Sequence, residues 1–149
     1  MKQLLTVIAS LTLLAPHAYA ADGMTTMESE HDVDTTHERL LDALTEAEMN
    51  VFAEVDHSAG AQEAGMELAS TRLVMFGNPE VGTQLMQCGR SSAIDLPMKA
   101  LIWEDDHTVY IGYNNADYLA DRHDLENCDD VLQQVADALE DFANQAAGH

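Results

Sequence analysis

Positive charge is nearly missing from this sequence. Four arginines and two lysines stand against 27 acidic residues, for a formal net charge of −21. Lys2 sits at the very start, so Lys99 is the sole lysine of the rest of the chain. A surface so negative repels nucleic acid and anionic lipid, which excludes a nucleic-acid-binding role. Cysteine is limited to Cys88 and Cys128, with no Cys-x-x-Cys pair, and no H-E-x-x-H occurs. Neither a zinc site nor a dithiol redox motif is therefore indicated. His31, His37, His57, His107, His123 and His149 lack tight ligand spacing, so no metal is expected. Asp105-Asp106-His107 and Asp121, His123 and Asp124 read as solvated acidic surface. Ser58, Ser70, Ser91 and Ser92 have no nucleophile-elbow context. No cofactor is indicated. The acids are spread along the chain rather than gathered in a tail, which argues for a solubility surface suited to salt and against disorder.

Long apolar runs are missing too, with one exception. The chain opens MKQLLTVIASLTLLAPHAYA: a positive start at Lys2, an apolar run from Leu4 to Leu14, and the small-x-small pattern Ala18-Tyr19-Ala20. This is the three-part pattern of a secretory signal peptide, with cleavage expected after Ala20. The run is too short for roughly 30 Å of hydrocarbon, so no membrane span is expected after cleavage. The expected address is periplasmic or secreted. The exported chain would keep all 27 acids and five of the six bases, a formal charge of −22. An even cysteine count in an exported chain suggests a Cys88–Cys128 disulfide, closing a loop worth about 2–4 kcal/mol. A reactive thiol at Cys128, in the first turn of a helix, is the lesser alternative.

What is present is a regular alternation of elements. Residues 21–34 form a polar N-terminal segment, with an extended stretch near Met24–Met27, and a single domain over 35–146 follows. Thr35 and Glu38 offer a capping box, and Leu40, Leu44 and Ala47 predict a helix over 36–48. Asn50 to Asp56 alternates as a half-buried strand, and residues 59–66 read as a short helical turn. Thr71–Phe76 is an apolar strand. Asn78 caps and Pro79 opens the next helix, with Val81 and Leu85 inward. Met98–Trp103 and Thr108–Tyr113 form a hairpin around Glu104-Asp105-Asp106-His107. Residues 116–123 make a short helix. Asn127 caps the last one, whose inner stripe is Val131, Val135, Leu139, Phe142 and Ala146, widened by Leu132 and Ala138. The order predicts an α+β, two-layer domain: an antiparallel sheet with helices packed on one face and the last helix across it.

Four stretches carry a resemblance. VFAEVDHSAGAQEAGMEL (51–68), TRLVMFGNPEVGTQLMQ (71–87), DLPMKALIWED (95–105) and YNNADYLADRH (113–123) together resemble the domain-of-unknown-function family 302. The similarity covers about residues 35 to 145. It implies a small α+β domain of the TATA-binding-protein-like type and a homodimer, and it implies no activity. Two departures stand out: the hairpin turn lacks a glycine, and Asn115-Ala116 replaces a common Asp-Pro.

Five residues are candidates for a ligand site: His57, Asn78, Asp95, Lys99 and Tyr113. His57 follows Asp56 at a strand end, where an imidazole serves as base or ligand, or is an ordinary loop histidine. Gly77-Asn78-Pro79 with Gly82 and Thr83 places free N–H groups at a helix start, although close helix packing also explains Gly82. Lys99 shares a strand face with Leu101 and Trp103. Either it pairs with an acid at the sheet face or a dimer seam, or it is an amine in a cleft for an anionic or carbonyl ligand. The expected function is non-catalytic binding of a small ligand or a partner. The alternatives are a small enzyme using Lys99 or His57 as base or nucleophile, and a structural dimer module.

Overall fold

A computed structural model describes residues 21–125 and 127–149; the expected signal peptide, 1–20, lies outside them. The elements in chain order are β1 (Met24–Glu28), α1 (Val33–Glu46), β2 (Asn50–Asp56), α2 (His57–Glu63), β3 (Thr71–Gly77), α3 (Pro79–Cys88), a 3-10 turn (Arg90–Ile94), β4 (Met98–Asp105), β5 (Thr108–Asn114), α4 (Ala116–His123) and α5 (Asp129–Ala147). The strands form one antiparallel sheet in the order β1-β5-β4-β3-β2. The fold is α+β, as expected.

Alternation along the strands decides which side is buried. Val74 and Phe76, Met98, Ala100 and Ile102, and Ile111 and Tyr113 all point to one side and are buried there. Helices α1 and α5 cover that side. From α1 come Val33, Thr36, Leu40, Ala43 and Leu44; from α5 come Val131, Val135, Leu139, Phe142 and Ala146. The stripe read from the sequence of α5 is thus its buried face. Phe142 meets Phe76 edge to face at 5.9 Å. Arg39 of α1 donates to the carbonyl of Gln145 at 2.6 Å, so a cation sits at the negative end of the α5 dipole.

The extended stretch expected near Met24–Met27 is β1, which pairs with β5, with Thr25 opposite Tyr113 and Met27 opposite Ile111. Two local expectations fail, each for a tertiary reason. Helix α1 starts three residues early. Asp32 is its cap, accepting from the Thr35 N–H at 2.7 Å, and the Thr35–Glu38 box is unused. Asn127 does not cap α5. It takes a left-handed φ of 63° and Cys128 holds the cap position without a side-chain bond. The same turn brings Cys128 to bonding distance of Cys88, with Cα atoms 6.4 Å apart.

The hairpin keeps its two-residue turn without glycine. Asp105 faces Thr108, and Asp106 and His107 take φ of 46° and 66°. A pair of positive φ values matches the right-handed twist of the flanking strands, a geometry in which Asn-Gly and Asp-Gly are favoured. His107 is 94% exposed in its side chain and has only a 3.8 Å contact to Glu104 to set against the strain. Replacing His107 by Gly is expected to raise the urea midpoint by about 0.5–1 kcal/mol of stability at unchanged slope. An unmoved or lowered midpoint would contradict this account of the turn.

Candidate functional site

Lys99 emerges on the side of β4 opposite the buried Met98, Ala100 and Ile102. Its stem is half-buried. Its ammonium donates to two main-chain carbonyls of the preceding loop, Asp95 at 2.7 Å and Pro97 at 2.8 Å. No carboxylate lies within ion-pair distance of it among the described residues, so the expected Lys–acid pair is replaced by a lysine–carbonyl brace. Burial pushes the amine below its ordinary 10.5, and the nearby Asp95 charge opposes that shift. For this group alone, stability rises with pH between the lowered value and 10.5, because the unfolded chain holds the proton longer.

The Asp95 side chain turns the other way, to the end of α4. Its Oδ2 accepts from His123 Nε2 at 2.6 Å and from Arg122 Nε at 3.0 Å. His123 is 4% exposed in its side chain, and its Nδ1 lies 3.0 Å from the Ser91 hydroxyl. With Asp95 ionised and the imidazole neutral, Nε2 donates to the carboxylate and Nδ1 accepts from Ser91. Arg122 also donates to the Tyr118 hydroxyl at 2.8 Å. This cluster joins the 3-10 turn, the 95–97 loop and α4. A hydroxyl–imidazole–carboxylate chain has the parts of an activated nucleophile. Arg122 and Tyr118 border an open surface hollow with Asp117 and Asp121, but Ser91, His123 and Asp95 line neither it nor the four other hollows described. The cluster reads as a lock on the loop that Lys99 braces.

The five candidate residues do not share a cleft. Asp95 and Lys99 meet through the loop. His57 opens α2, exposed, at the far edge of the sheet. Asn78 caps α3 through its carbonyl oxygen, accepting from Glu80 and Val81. Tyr113 is buried on the helix-covered side, opposite Lys99, where burial and the Glu140 charge push its phenol upward. Strand parity alone separates Lys99 from Tyr113, a signal present in the sequence. The link from His123 to Asp95 spans 28 residues and carries no sequence signal.

The bare side of the sheet is the other feature. Leu73 and Met75 of β3, Leu101 and Trp103 of β4 and Tyr110 of β5 stand there half-buried, with no helix layer over them among the described residues. Helix α2 lies beside β3 and buries none of its own residues. Trp103 and Tyr110 are cross-strand partners, stacked with ring centroids 5.5 Å apart. Apart from Glu28 and Asp105 at its rim, this face carries no acid, in a chain with 27. Lys99 is its one cation.

Fold and faces together define a small two-layer α+β domain with one side of its sheet uncovered among the described residues. Residues 25–142 match the domain of unknown function DUF302, and the chain belongs to that family. The crystal structure of an uncharacterized conserved DUF302 protein from Bacillus stearothermophilus superposes with a TM-score of 0.77 at 16% identity, covering 85% of this chain and 99% of that one. That likeness shows the fold. Among curated proteins, the chain is 47% identical over 110 residues to fluoride-specific ion channel FluC 1 of Brucella suis biovar 1 (strain 1330), covering 73% of this chain and 43% of that protein. A second protein of that name, from Brucella abortus biovar 1 (strain 9-941), matches at 47% over 41% of its length. The chain therefore spans less than half the length of these relatives. No helix among the described residues is long and apolar enough to cross a membrane.

If Lys99 is a brace, replacing it by Met strands two carbonyls and is expected to cost about 1–3 kcal/mol in urea unfolding. A variant as stable as the parent would remove the brace from this account.

Proposed function

We propose that the chain is an exported, non-catalytic binding module that works as two identical copies joined through the bare sheet faces. The observation that carries this reading is an apolar face whose only acids, Glu28 and Asp105, stand at its rim. In a chain with 27 acids, a random surface of five strands would hold several at its centre, and their repulsion would keep copies apart. Two such faces are self-complementary, as a two-fold interface requires. Five strands about 4.8 Å apart and about seven residues long span a plane of roughly 550 Å². Side-chain relief brings that toward the ~800 Å² per partner of a standard interface. Trp103, Tyr110 and Leu101 supply the central aromatic and aliphatic anchors, and the acids outside the face form a hydrated rim. The braced Lys99 adds a cation that meets no like-signed group except its own copy.

The Brucella relatives favour a second reading of the partner: a membrane transport protein for which the module is an accessory. Deleting the gene in the native host would then lower growth in fluoride-containing medium. Unchanged growth across fluoride concentrations would remove this reading and leave the pairing of copies untouched.

Native mass spectrometry of protein purified from the periplasmic or secreted fraction tests the main reading. The expected species is twice the mass of a chain beginning at Ala21, each copy lighter by two hydrogens for a closed Cys88–Cys128 bond. Leu101→Glu, which places a carboxylate at the centre of the face, is expected to give the single chain with its fold intact by circular dichroism. A single chain from the parent protein at micromolar concentration contradicts the pairing.

A further inference from the structure

Two hollows meet at α3, and the pairing of copies accounts for neither. The inner one, about 60 Å³, lies between α3, α5 and the covered side of the sheet, against Phe76, Leu85, Met98, Val135 and Phe142. The outer one, about 340 Å³, opens at the surface between Phe52, Met86, Leu96 and Pro97. Gly77, Asn78 and Gly82 border both. Neither is lined by an Asp, Glu, Lys or Arg, on a chain where acids crowd most other surfaces.

The two glycines give these hollows a meaning beyond loose packing. Gly82 lies inside α3, where glycine is a poor helix former. The usual reason, close packing, does not apply. A Cβ at Gly82 would find its nearest neighbour, Leu96 Cδ1, at 3.9 Å, an ordinary contact. A Cβ at Gly77 would meet Phe52 and Pro97 at the same distance. Both missing side chains therefore point into the outer hollow, and each glycine keeps space open that alanine or larger would take. Phe52, at the bulge of β2, stands 55% exposed over the entrance. Asn78, which borders both hollows, spends its carbonyl oxygen on the α3 cap, and its amide N–H groups have no partner among the described residues.

We infer that the two hollows are one binding site for an uncharged, lipid-like molecule. Its apolar end enters past Gly82 toward Phe76 and Phe142, and one acceptor oxygen meets the Asn78 amide. The charge pattern selects this class. The lining offers no cation for a carboxylate or phosphate, and the surrounding acids repel anionic amphiphiles. The inner hollow has room for only about two water volumes, so it takes the tip of a chain and the outer one takes the rest. This site does not depend on the pairing of copies, because Leu101 and Trp103 do not line it.

The test titrates the neutral fluorophore N-phenyl-1-naphthylamine into the folded protein. The parent is expected to give saturable enhancement at one probe per chain, displaced by 1-decanol about tenfold more effectively than by decanoate. Gly82→Leu is expected to weaken the probe about tenfold or more while its thermal midpoint stays at or above that of the parent. Gly82→Ala, the smaller plug, should raise the midpoint and weaken the probe by less. Leu101→Glu should bind as the parent does. Absence of saturable enhancement in the parent, parental affinity in Gly82→Leu, or preference for decanoate overturns the inference. Loss of the probe in Leu101→Glu alone also overturns it, by placing the probe on the sheet face.

Discussion

One-sided burial of the sheet is the constraint from which the rest follows. Along β3, β4 and β5, alternate residues commit to the layer formed by α1 and α5. Each large side chain so placed contributes about 1.5–3 kcal/mol, and a one-residue slip would turn all of them outward. Register is therefore fixed by the core, and whatever occupies the intervening positions is carried to the other side. Those positions hold Leu73, Met75, Leu101, Trp103 and Tyr110 where a solvated face would hold charge. The apolar outer face is thus a choice of side chains that the fold itself does not demand.

Lys99 makes sense within this frame. A lone amine on an apolar strand face needs acceptors, and it finds two carbonyls in the loop that precedes its own strand. That loop is held from the other side by Asp95 on His123 and Arg122. The same stretch carries the walls of the outer hollow at Leu96 and Pro97. Brace, lock and hollow are three uses of one loop, which is why a change at Lys99 is felt as stability.

Much of the fold was legible because its signals are local. The α3 start at Asn78-Pro79, the α4 span and the buried stripe of α5 are each written within a few turns of chain. Strand parity correctly separated Lys99, Leu101 and Trp103 from Met98, Ala100 and Ile102. The extended stretch near Met24–Met27 was legible, but not that it would join the sheet at the edge of β5. What failed depends on contacts distant in sequence. Asp32 outcompetes Thr35 as a cap because Val33 and Thr36 are drawn into the core, where the Thr36 hydroxyl binds Ser29. The candidate site was read as five residues of suitable chemistry, and only Asp95 and Lys99 come together. Chemistry of side chains is a local property; convergence is not. Gly82 was visible as an anomaly, but whether it served close packing or open space could be decided only by what stands opposite it.

Trp103 is the only tryptophan of the chain, and it stands on the central strand of the proposed seam. Its emission therefore reports directly on whether that face is covered. On dilution from micromolar to nanomolar protein, the account predicts a red shift of the emission maximum that follows the same curve as the fall in sedimentation mass from two chains to one. An emission maximum that stays constant while the mass halves would place the contact elsewhere, and a single-chain mass at every concentration would contradict the pairing altogether.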